Sequence, residues 1–121
     1  MHLHKRINSF RYAWNGIKIA WREEVNFRIQ AMGAAFVLLA AWILQVSRVE
    51  CILLILTIGV VLVAELVNTS FEELCDMLRG EHDPHVAKIK DIAAGAVYLA
   101  ALIAILAGTL IFFPRIWALF S

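Results

Sequence analysis

The chain has 121 residues, of which 62% are hydrophobic and only 17% charged, with a mean hydropathy of +0.77. Soluble domains are nearer about 45–50% apolar and about 25% charged, so this composition excludes an ordinary soluble fold and points to an all-α integral membrane protein of one domain, residues 1–121. A net charge of +1 gives no sign of nucleic acid as a partner.

Residues 1–28 lack the continuous apolar core and small-residue cleavage site of a signal peptide. Leu3, Ile7, Phe10, Trp14, Ile17 and Trp21 recur at spacings of four and three, which predicts an amphipathic helix. Lys5, Arg11, Lys18 and Arg22 lie off that stripe, as suits a helix resting in the lipid headgroup layer. Glu23 and Glu24 interrupt this basic segment where it meets the first apolar run. The runs at 29–46, 51–78 and 92–113 predict three membrane helices. Ser47–Glu50 reads as a turn between the first two. In the main loop, 79–91, Gly80 stops the second span and Asp83-Pro84 forces a turn. Pro114 ends the third span, which is dense in small residues that let helices approach closely in lipid. Cys51 and Cys75 lie about 36 Å apart on one predicted helix and cannot pair within it.

Lysine and arginine are sorted along the chain. Six precede residue 29 and three lie in the main loop, but only Arg48 follows the first span and only Arg115 the third. The positive-inside rule therefore puts the N-terminus and the main loop in the cytoplasm and the C-terminus outside.

The second span ends in AELVNTSFEELCD, residues 64–76. Glu65, Asn68, Glu72 and Asp76 stand at offsets of zero, three, seven and eleven, so they share one helical face. Ionisable groups at membrane depth cost about 2.5–3.5 kcal/mol on insertion scales, which marks Glu65, the deepest, as a candidate functional group. Glu73 and Asp76 also fit a helix end that simply meets water. Carboxylates with an amide can hold Mg²⁺ jointly with substrate phosphates. Lys88 and Lys90 supply cations for phosphate, and a carboxylate free of metal can take a proton from an alcohol. Metal, cation and base are the parts of phosphoryl transfer. No Walker loop or soluble-kinase motif is present. His82 and His85 lack zinc spacing and read as surface residues. Two other readings stay open: a small oligomeric transporter or proton channel using Glu65, and a non-catalytic membrane adaptor.

ELVNTSFEELCD (Glu65–Asp76), HDPHVAKIKDIAAGAV (His82–Val97), Glu24-Val25-Asn26-Phe27-Arg28 and SFRYAWNG (Ser9–Gly16) together resemble the small prokaryotic lipid kinases, diacylglycerol kinase and undecaprenol kinase. The likeness covers nearly the whole chain. It implies an N-terminal surface helix plus three transmembrane helices per protomer, a homotrimer in the bacterial cytoplasmic (inner) membrane, and sites between neighbouring subunits at the cytoplasmic face. The implied reaction is ATP- and Mg²⁺-dependent phosphorylation of a membrane lipid alcohol. By the same resemblance Glu65 is the general base, Glu24 and Glu72 bind Mg²⁺ and the ATP phosphates, and Asn68 and Asp76 support the site. Lys90 and Asp91 match nucleotide-contacting positions, with Lys90 and Asn68 counted among the catalytic groups. Tyr12, Glu81, His82 and Asp83 fall where the family touches ATP, and Lys5 stands where some members carry arginine. The His82–Val97 stretch is closer in style to undecaprenol kinases than to diacylglycerol kinases.

Overall fold

In a computed structural model of the chain, residues 2–78 and 83–121 are described. They form four helices: α1 (His2–Glu23), α2 (Val25–Ile43), α3 (Arg48–Met77) and α4 (Pro84–Phe120). α2, α3 and α4 are each long and apolar enough to cross a membrane, and α1 is the additional amphipathic helix expected from the 3–4 spacing. At 1.5 Å per residue the three are about 28, 45 and 55 Å long, against a hydrocarbon layer of about 30 Å. α3 and α4 therefore have length to spare, and it carries much of the polar chemistry.

The helix boundaries differ from the sequence expectations, each for a local reason. α1 and α2 are separated by Glu24 alone, whose backbone is extended at φ −110° and ψ 109°, so the first apolar helix begins at Val25 and not at residue 29. It ends at Ile43, where Gln45 adopts φ 53°. Ser47–Glu50 is the start of α3 and not a separate turn. Ser47 accepts from the Glu50 amide at 3.2 Å, and Glu50 accepts from the Ser47 amide at 3.0 Å, a reciprocal capping box. α3 ends at Met77, ahead of Gly80, which lies outside the described residues along with Arg79, Glu81 and His82.

Asp83-Pro84 opens a helix. The Asp83 side chain accepts from the His85 amide at 2.8 Å, and Pro84 occupies the first helical position, where its missing N–H costs nothing. Residues 84–91 of the expected loop are thus the first two turns of α4. At the other end, α4 runs through Pro114 to Phe120. Proline removes one intrahelical bond, a loss that membrane helices tolerate when neighbours hold the backbone, and here Arg115 is tied to Glu50 on α3.

α3 and α4 form the main antiparallel pair, with α2 packed on α3. Ala41, Leu54 and Ile111 make a buried cluster near the Glu50–Arg115 end. Around it Phe36, Trp42, Leu110 and many other large apolar side chains are exposed, as they are on a helix bundle solvated by lipid or covered by another copy. An ion pair ties each end of the α3–α4 pair: Glu50 with Arg115, and Asp76 with Lys90 at 2.9 Å. Cys51 and Cys75 are both free, the latter buried.

Candidate active site

The site is assembled where the α1–α2 elbow meets the C-terminal half of α3. Glu65 is 4% exposed, the sole buried polar or charged residue among those described. The α3 backbone around it is reinforced by Thr69, whose hydroxyl donates to the Glu65 carbonyl at 2.9 Å. The carboxylates close enough to act on Glu65 electrostatically are Glu24 and Glu72. One turn along the same face, Asn68 Nδ2 donates to Glu72 Oε1 at 3.2 Å. The other end of that amide, Asn68 Oδ1, is buried without a hydrogen-bond partner. A buried acceptor left unmatched costs about 1–3 kcal/mol, and it asks for a ligand or a water.

Glu24 arrives from the elbow. Its side chain makes no cap bond to α2, so the carboxylate is not used by its own helix. Burial, reinforced by the negative charges of Glu72, Glu23 and Glu73, holds its carboxyl above the ordinary value of 4.5. Crowded acids of this kind are relieved by a proton or by a cation. Glu23 and Glu73, which read as surface charges in the sequence, thus contribute to the field at Glu24.

Among the described residues, no three His, Cys, Asp or Glu side chains stand close enough to hold a metal by themselves. What the chain offers is two carboxylates, Glu24 and Glu72, beside an unmatched amide oxygen. This all-oxygen set fits Mg²⁺, which commonly takes one or two carboxylates and completes its shell with water and phosphate.

Asp76 and Lys90 lie at the outer edge, joined across α3 and α4, with side-chain exposures of 61% and 33%. Asp91 is exposed beside them. Asp83 serves as the cap of α4 through its carboxylate. Tyr12 is exposed on α1, about 18 Å along the chain axis from Glu24, and Lys5 is exposed still further away. The expected ATP-contacting residues Glu81 and His82 lie outside the described residues. One participant at the elbow carried no role in the sequence reading: Arg28, the last residue of the Glu24–Arg28 motif, donates to the carbonyls of Trp21 and Arg22. Its signal in the sequence was a cation one turn past the acid, at the lip of an apolar run.

A groove of different character lies elsewhere. It holds about 590 Å³ between α2, α3 and α4, and is lined by apolar and small residues with Gln30, Thr57 and Thr109. None of the acids contributes to it.

Known proteins are similar to this chain in sequence over most of its length. A diacylglycerol kinase from Synechocystis is 39% identical over 112 residues, 92% of this chain and 64% of that protein, so the chain spans slightly under two thirds of that relative's length. An undecaprenol kinase from Bacillus subtilis is 36% identical over 94% of this chain and 93% of its own length. A diacylglycerol kinase from Escherichia coli is 27% identical over 83% of this chain and 82% of its own length. Residues 11–112, which include the elbow, the acidic face of α3 and the Asp76–Lys90 pair, match the prokaryotic diacylglycerol kinase family, and the chain is a member of that family of lipid kinases.

Proposed function

We propose that this chain transfers the γ-phosphoryl group of ATP to the hydroxyl of a membrane lipid, undecaprenol or diacylglycerol, at the cytoplasmic face of a bacterial inner membrane. The observation that carries the reading is the buried Glu65 carboxylate, with Glu24, Glu72 and the unmatched Asn68 oxygen beside it. Glu65, the acid set deepest in the apolar run of α3, accepts the proton of the alcohol as its oxygen attacks phosphorus. The bond from the γ-phosphorus to the bridging oxygen breaks, and ADP leaves. Glu24 and Glu72 are the residues that hold Mg²⁺, which when bound offsets phosphate charge. Asn68 orients Glu72 through its amide N–H. Lys90, braced by Asp76, lends positive charge to the nucleotide, with Asp91, Tyr12 and Asp83 as the remaining nucleotide-side candidates.

The Lys/Arg distribution supports the cytoplasmic orientation. The extent of exposed apolar surface and the openness of one protomer's site favour a homotrimer in which a neighbour closes it. A channel reading fares worse, because α2 carries only Arg28 and α4 between Ile92 and Phe113 carries no acid or base, leaving no charged path across the bilayer.

The test is transfer of labelled phosphate from ATP to undecaprenol and to diacylglycerol by the purified protein in vesicles, with and without Mg²⁺. Mg²⁺-dependent labelling of one or both is expected, and the preferred lipid names the substrate. Absence of transfer to either would overturn the proposal.

A further inference from the structure

Arg28 stands in the first turn of α2, yet its guanidinium reaches back across the elbow. Its Nη1 donates to the Trp21 carbonyl at 2.6 Å and to the Arg22 carbonyl at 2.9 Å. Those acceptors belong to the last turn of α1, where a helix leaves its final carbonyls without amide partners. The Ala20 carbonyl is met by the Glu24 amide at 2.8 Å, so Arg28 supplies partners for the next two. It also brings positive charge to the negative end of the α1 dipole. The Arg28 amide in turn donates to the Glu24 carbonyl at 3.2 Å. One residue is thereby bonded to both sides of the elbow.

Glu24 sits between those attachments, the single extended residue joining two helices. Rotation there would swing its carboxylate away from Glu72. The charges acting on Glu24 are Glu72, Glu23 and Glu73, so Arg28 works on the backbone that carries the carboxylate and not on the carboxylate itself. Both bonds leave the single nitrogen Nη1. A lysine ammonium also carries several N–H groups on one nitrogen, but its stem is one bond shorter, so it keeps the charge and reaches the two carbonyls less well.

We propose that Arg28 is a positioning residue for the kinase reaction, setting the elbow angle at which Glu24 meets Glu72. The inference rests on the reading of those two carboxylates as Mg²⁺ ligands. Partners that orient metal ligands are typically worth about 10–100-fold in metal affinity.

The experiment uses the full chain in phospholipid vesicles with a non-hydrolysable ATP analogue. Mn²⁺ is the probe, its binding read by electron paramagnetic resonance, for the parent protein, Arg28→Gln, Arg28→Lys and Glu24→Gln. Arg28→Gln is expected to weaken Mn²⁺ binding by about 10-fold, toward the low end of that range, and Arg28→Lys by less. Hydrogen exchange over residues 21–28 should quicken in both, while kcat at saturating Mg²⁺ stays within about threefold of the parent. If Glu24→Gln weakens Mn²⁺ binding and neither Arg28 variant does, the positioning role is overturned and the metal reading stands. If all three variants bind Mn²⁺ like the parent, both are overturned. Should Arg28→Gln fail to fold, Arg28→Lys decides: parent-like affinity together with parent-like exchange overturns the proposal.

Discussion

Replacing Glu65 by glutamine exchanges one oxygen for an amide nitrogen in a side chain that is 4% exposed, so shape and packing are nearly kept. The position of Glu65 on α3 sets the expected effect. Glu72 lies seven residues further along the same helix, about 10 Å along its axis, while a Mg²⁺–oxygen bond spans about 2.0–2.1 Å. A cation seated between Glu24 and Glu72 is therefore not a cation held by Glu65. Loss of the Glu65 carboxylate should leave Mg²⁺ half-saturation within about twofold, because the ligands remain. Turnover should fall by about 10²–10⁴-fold, the usual contribution of a positioned general base. Stability should hold or rise, since a neutral amide escapes the cost of a carboxylate at that depth. The assay is initial-rate phosphate transfer over a Mg²⁺ titration, for parent and Glu65→Gln side by side, with thermal unfolding in the same detergent. A variant that turns over like the parent would refute the base assignment. A variant with intact kcat and a tenfold shift in Mg²⁺ half-saturation would make Glu65 a ligand.

Four further outcomes are expected. Glu24→Gln and Glu72→Gln should each weaken Mg²⁺·ATP binding by at least about tenfold, since an amide is a poorer ligand for a hard dication; calorimetry that finds both unchanged removes the metal assignment. Glu24, its carboxyl held above 4.5 by burial and neighbouring acids, contributes stability that is fully present below that value and lost as pH rises through its folded-state value. Thermal midpoints of the parent should accordingly fall relative to Glu24→Gln as pH rises from 4.5, and parallel curves would refute the shift. Asp76→Asn breaks a largely exposed pair and should cost only about 0–1 kcal/mol of stability, so a pronounced loss of ATP affinity in that variant would locate its importance at the nucleotide. Arg115→Ala strips Glu50 of a partner at the far end of the bundle; it should lower the thermal midpoint without altering Mg²⁺ half-saturation, and a changed half-saturation would contradict the separation of the two ends.

The helices themselves were legible because both signals are local. A 3–4 apolar rhythm marks an amphipathic helix such as α1, and uninterrupted apolar runs mark spans such as those in α2, α3 and α4. Their ends were less so, because proline has two meanings. Pro84 sits at the first helical position and begins α4, and Pro114 lies inside the same helix where Arg115 is anchored to α3. The α3 face of Glu65, Asn68, Glu72 and Asp76 followed from helical spacing alone. What spacing could not convey is convergence: Glu24, the single extended residue between α1 and α2, comes near enough to Glu72 for their charges to interact, and Glu50 meets Arg115 across 65 positions of sequence. Arg28 belongs to the same class, since its carbonyl partners precede it by six and seven residues across a helix break.

The two ion pairs between α3 and α4 act together as a gauge. Glu50 and Asp76 are separated by about 39 Å of α3, and Lys90 and Arg115 by about 37.5 Å of α4. The acids are both on one helix, the bases both on the other, and the two intervals agree to about a single residue rise. Sliding one helix past the other by one turn, about 5.4 Å, would part both couples at once. The two pairs therefore favour a single alignment of the hairpin, the part-buried Glu50–Arg115 couple contributing more than the largely exposed Asp76–Lys90 couple. Opening and closing around a lipid and a nucleotide during turnover is expected instead at the α1–α2 elbow, which is held by the local Arg28 bonds and not, among the described residues, by two distant ion pairs in register.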